Sequence, residues 1–88
     1  MIFTVTWSEW AQQQLAAVWL ASSNRDAVTQ ASHYIDLTLR VDPDTVGRRH
    51  LGNIRRFRHS PLGVLFEVNE LDRIVTVLAV WEVTSPTS

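Results

Sequence analysis

The segment that most limits what this chain can fold into is Arg73-Ile-Val-Thr-Val-Leu-Ala-Val-Trp-Glu-Val83. Val75, Val77, Ala79, Trp81 and Val83 share one parity of an extended chain, and Ile74, Leu78 and Val80 share the other. Successive side chains of a strand point to opposite faces, so this strand is predicted to be apolar on both. A strand of that kind needs cover above and below. One cover is expected from the chain's own helices and the other from a partner.

The rest of the chain supplies those helices. Ile2 to Trp7 is rich in β-branched and aromatic residues and reads as a first strand. Ser8 stands where a helix N-cap belongs, with Glu9 favourably placed against the helix dipole. Ala11, Leu15, Val18 and Trp19 then recur at helical spacing as far as about Ser22. After the break at Ser22-Ser23, Asn24 is a second N-cap, and Val28, Ala31, Ile35 and Leu39 carry the same stripe to about Arg40. Asp42-Pro43 ends it, because a residue before proline is pushed out of the α region.

Asp44 to Gly52 reads as an irregular link, Asn53 to His59 as a strand, Ser60-Pro-Leu-Gly63 as a turn, and Val64 to Asn69 as another strand. The predicted class is α+β in the order β-α-α-β-β-β. Two antiparallel helices pack on one face of a mainly antiparallel four-stranded sheet. Residues 1–83 form one domain in this reading, and 84–88 a disordered polar tail. With 88 residues, such a chain hides roughly 60–65% of its unfolded surface. Helices on one face leave the other short of cover, and contiguous apolar surface on so small a protein marks a binding site.

Composition excludes several chemistries. The chain has no cysteine, so disulfide, thiolate-metal and thiol redox sites are out. No apolar run approaches the roughly 20 residues of a membrane span, and the N-terminus lacks the pattern of a signal peptide. A soluble, cytoplasmic protein without membrane association is expected. Charge is close to balanced at −1, yet unevenly spread. Arg48, Arg49, Arg55, Arg56 and Arg58 lie between positions 48 and 59 with His50 and His59 and no acid. The three remaining arginines face nine acids, a formal −6 for the rest of the chain, and lysine is absent altogether.

Guanidinium groups bind phosphate and carboxylate bidentately, so this cluster is a candidate surface for a phosphate or an acidic partner. The competing reading is ordinary solvated strand charge, some of it paired across strands with Glu67, Glu70 or Glu82. Parity divides the cluster. Arg56 and Arg58 fall with Ile54, whereas Arg55 falls with Phe57 and His59. His50 and His59 are of the right type for acid–base work near neutral pH, and His33 belongs to the second helix as a structural or surface residue. The three histidines show no i, i+4 pair, so no metal site is expected, nor any cofactor. Core packing is expected for Trp19 and partial exposure for Trp10. Trp81 is left to either the core or a partner.

The ordered set Thr4-Val-Thr-Trp-Ser-Glu9, Leu39-Arg-Val-Asp-Pro43, Gly52-Asn-Ile-Arg55, Leu62-Gly-Val-Leu-Phe-Glu-Val68 and Val75-Thr-Val-Leu-Ala-Val80 resembles the RelE/ParE superfamily of bacterial toxins. These are the toxins of type II, plasmid-stabilisation-like, toxin–antitoxin pairs. The resemblance spans nearly the whole chain. It implies a cytoplasmic growth inhibitor neutralised by a cognate antitoxin, with larger toxin–antitoxin oligomers among its forms. One branch of the superfamily cleaves messenger RNA on the ribosome, and another poisons DNA gyrase. Arg55 matches the family's recurrent arginine, and Arg55, Arg58, His50 and His59 are the catalytic candidates under the endoribonuclease reading. Arg48, Arg49, Arg55, Arg56, Arg58 and Trp81 are the partner-binding candidates. Nuclease members usually carry histidine, arginine or tyrosine just after the last strand, where this chain has Trp81-Glu-Val-Thr-Ser85. That departure tilts the reading toward a gyrase-directed or other non-nuclease mode. A nontoxic binding module is the remaining alternative.

Overall fold

Ser8 ends the first strand and opens the first helix: its Oγ accepts from the Ala11 amide at 3.1 Å, satisfying one of the orphan donors of the first turn. Asn24 does the same for the second helix, its Oδ1 accepting from the Ala27 amide at 3.1 Å. In the computed structural model, which describes residues 2–83, these caps begin α1 (Glu9–Ala21) and α2 (Arg25–Val41). Five strands accompany them: β1 (Thr4–Trp7), β2 (Arg48–Leu51), β3 (Ile54–His59), β4 (Leu62–Asn69) and β5 (Ile74–Glu82). The expected polar tail lies outside the described residues.

The strands form one sheet in the order β1-β5-β4-β3-β2. β2 to β5 are an antiparallel meander, and β1 lies parallel to β5, with Val5 opposite Val75 and Trp7 opposite Val77. A parallel neighbour demands a long crossover, which the two helices supply. The expected α+β class and the helical layer on one face hold. The sheet has five strands where four were expected, because Arg48–Leu51 pairs with β3 instead of running as an irregular link. All four residues of β2 are exposed, so no apolar alternation announces the strand.

Cross-strand partners share a face. Leu62, Val64, Phe66 and Val68 of β4 face the helices together with Val75, Val77 and Val80 of β5. They pack in one cluster with Ala11 of α1 and Val28, Ala31, Ile35 and Leu39 of α2. Phe66, Val64, Val75 and Val77 are fully buried. Burying such side chains contributes roughly 1.5–3 kcal/mol each, so this layer dominates stability. Among the described residues, no helix is long and apolar enough to cross a membrane.

Candidate anion-binding groove

β5 breaks the parity expected of it. Leu65 pairs with Ala79 and Phe66 with Val77, which leaves Leu78 as an extra residue, a β-bulge. Before the bulge Val75 and Val77 face the helices; after it Val80 does, and Ala79 and Trp81 turn to the opposite face. The single apolar row from Val75 through Val83 is therefore split. An extra residue reverses every side chain beyond it, because the strand period is two.

The bulge is held from α1. The Val80 amide donates to Oε1 of Gln14 at 2.9 Å, and the Ser8 hydroxyl donates to the Leu78 carbonyl at 3.4 Å. It sets the Trp81 indole over Gly63, its cross-strand partner. A methyl at position 63 would come within 2.4 Å of the indole Nε1 and 2.5 Å of Cε2. Glycine at 63 is thus the seat on which the ring rests.

The face bearing Trp81 carries no helix and is also where part of the arginine cluster stands. Arg56 pairs with Leu65 and Arg58 with Gly63, which puts both beside the indole, and Arg48 lies directly opposite Arg56. With Gly47 and Phe57 they line a groove of about 620 Å³. Arg48, Arg56 and Arg58 are exposed and Trp81 is half-buried. Among the described residues none of the three has a carboxylate partner; the ion pair found there is Arg40 with Asp36 in α2, at 2.7 Å. The competing reading, pairing of the cluster with Glu67, Glu70 or Glu82, is not met among the described residues, where Glu67 stands opposite Ile54 and Glu82 opposite Leu62. Like charges directly across a ladder repel. An arrangement that keeps them together without a counterion suits an external anion.

The remaining candidates lie elsewhere. Arg55 is on the helix side, opposite Phe66, and its guanidinium donates to the carbonyls of Val46 at 3.1 Å and Gly47 at 3.3 Å. It ties the chain entering β2 to β3. Arg49, opposite Arg55, borders a separate small recess with Asp44, Asn53 and Glu70. His50 occupies the irregular position of β2 and is exposed. His59 closes β3 on the helix side, its ring stacked on Tyr34 with centroids 3.9 Å apart. Neither histidine lines the groove. Among the described residues no cluster of three metal-ligating side chains occurs.

A second concavity escaped the sequence reading. Between α1 and α2 runs an apolar cleft of about 800 Å³, lined by Trp7, Leu15, Trp19, Val28, His33 and Leu37 among others. Trp19, expected in the core, is 39% exposed here; its indole donates to Thr29 Oγ1 at 3.2 Å and the Arg25 guanidinium lies 4.8 Å from the ring centroid. The Trp7 indole donates to Asp36 Oδ1 at 3.1 Å. Trp10, Leu20 and Leu37 are each more than 60% exposed nearby. The available signal was the run from Trp10 to Asn24, which contains no charged residue. A surface helix with no charged face is one that still lacks its cover.

No protein-family model and no curated protein sequence matches the chain. Solved structures do. It superimposes on a chain of the RelBE2 toxin–antitoxin complex of Mycobacterium tuberculosis with a TM-score of 0.75 at 19% identity, covering 93% of this chain and 92% of that one. The chromosomal ParDE toxin–antitoxin system of P. aeruginosa gives 0.70 at 16% identity over 94% and 98%. A mutant E. coli RelE toxin in the free state gives 0.67 at 15% identity over 93% and 84%.

Proposed function

Since the chain has the RelE/ParE fold, we propose that it is the toxin of a type II toxin–antitoxin pair, acting through the arginine groove on its bare sheet face. The observation that carries this reading is the juxtaposition of Arg48, Arg56 and Arg58 with Trp81 on a face without helices. Three guanidinium groups and one indole hold an anion beside a planar or apolar group. The cognate antitoxin is the partner that the RelBE and ParDE assemblies suggest, and α1, without charge from Trp10 to its end, is with its apolar cleft the surface that such a partner covers.

The mode favoured is binding to an intracellular target, in the manner of a gyrase-directed toxin, over RNA cleavage. Cleavage needs a group that takes a proton from the 2′-hydroxyl and one that delivers a proton to the leaving oxygen. Guanidinium groups keep their protons, and His50 and His59 stand away from the groove.

Tightly induced expression in a bacterial host tests this reading. Growth arrest by the wild type, relief by a co-expressed antitoxin, and relief by Arg56→Ala with Arg58→Ala are expected, with cellular RNA intact. Normal growth with folded protein present overturns the toxin reading. Arrest accompanied by shortened transcripts and abolished by the same substitutions moves the mode to endoribonuclease.

A further inference from the structure

The groove is assembled by a residue on the far side of the sheet. We infer that Gln14 of α1 is a positioning residue, which pins the β5 bulge and thereby keeps Trp81 on the arginine face. This rests on the groove being the acting surface.

With no bulge at Leu78, that residue would oppose Leu65, Val80 would oppose Gly63, and Trp81 would oppose Leu62 on the helix side. The indole would leave Arg56 and Arg58, and the groove would lose its aromatic wall. Two features oppose this slip. Val80, 2% exposed, fits against Val64 in the core, a place that the slip would hand to the smaller Ala79 and so leave underfilled. The second is the Gln14 carboxamide, whose Oε1 takes the Val80 amide at 2.9 Å. A bulge leaves ladder groups unpaired, and a buried N–H without an acceptor is costly. Gln14 supplies that acceptor from another element, 66 residues away in sequence.

Ser8 reinforces the same point, because its hydroxyl reaches the carbonyl of the bulged Leu78 while its amide donates to the Val77 carbonyl at 2.9 Å. The first turns of α1 thus grip β5 on both sides of the irregularity. Trp81 is on the opposite face from that grip, and its own indole N–H finds no acceptor among the described residues. The ring is held by its seat on Gly63 and by the backbone that Gln14 secures.

The test uses the full chain, ¹⁵N-labelled, as wild type, Gln14→Leu and Gln14→Glu. Leucine removes the acceptor; a carboxylate restores it. In Gln14→Leu the Val80 amide should exchange at least about tenfold faster, the fold-change expected from losing roughly 1.4 kcal/mol of protection. The Trp81 indole resonance, assigned with Trp81→Phe, should shift or split. The amides of Ile35 and Leu39 in α2 should keep their protection within about threefold. Gln14→Glu should return both signals toward wild type. An unmoved Trp81 resonance in Gln14→Leu overturns the inference. So does an equal loss of protection at all amides, or a Gln14→Glu that behaves like leucine. These readouts need no toxicity, so absence of growth arrest by the wild type would refute the proposed function alone. Where the wild type does arrest growth, Gln14→Leu should relieve it and Gln14→Glu should retain it; full arrest by the leucine variant also counts against the inference.

Discussion

Gly47 and Gly52 form a matched pair that separates two reasons for glycine. Both have positive φ, 71° and 56°, and both flank β2. At Gly52 a methyl group would meet nothing within 4 Å, so Gly52→Ala carries only the left-handed backbone penalty, about 1–2 kcal/mol. At Gly47 the same methyl would stand 2.1 Å from the Arg56 carbonyl oxygen, 2.9 Å from its carbon and 3.2 Å from the Phe57 Cα. All three are backbone atoms, and a comfortable contact needs about 3.5 Å. β3 would have to part from the incoming chain by more than about 1 Å, which adds roughly 1–3 kcal/mol of overpacking. Gly47→Ala should therefore cost about 2–5 kcal/mol, exceeding Gly52→Ala by about 1–3 kcal/mol. For a domain of this size each kcal/mol lowers Tm by roughly 4–8 °C. Urea denaturation followed by circular dichroism measures the difference, provided the slope m is common to all three proteins. Equal destabilisation within about 0.5 kcal/mol would refute the steric argument. A functional consequence follows, because the chain at Gly47 leads straight into Arg48, opposite Arg56. Gly47→Ala should blunt growth arrest while Gly52→Ala preserves it.

Arg48→Glu should convert the opposed Arg48–Arg56 pair into a cross-strand ion pair; stability should rise by about 0.2–1 kcal/mol in thermal melts as growth arrest is lost. Gly63→Ala should displace the Trp81 indole from its seat and destabilise the wild type by about 1–3 kcal/mol. In a Trp81→Ala background the same change should cost far less, and a double-mutant cycle in urea measures that coupling. Asn24→Ala should lose about 1 kcal/mol through its cap alone. Ser8→Ala should lose more, because its hydroxyl also reaches the Leu78 carbonyl; chemical denaturation of both variants decides it.

What this sequence determines by itself is local. Ser8 and Asn24 announce the helix starts because an N-cap needs only the side chain and the first turn it closes. The stripe Val28, Ala31, Ile35, Leu39 reveals the inner face of α2 because a helix repeats its facing residues every three or four positions. The division of Arg55 from Arg56 and Arg58 was legible for the same kind of reason, since β3 runs without a bulge between them. Tertiary structure decided everything that depends on a neighbour remote in sequence. β2 exists through pairing with β3, and its four exposed residues carry no pattern that could have shown it. Arg55 is occupied by the carbonyls of Val46 and Gly47, groups that every residue possesses and no composition distinguishes. The face on which Trp81 stands depends on one extra residue at Leu78, beside which the Val80 amide donates a hydrogen bond to Gln14 on α1. A strand's alternation can be read from its own residues only while its register is regular, and the register belongs to the sheet.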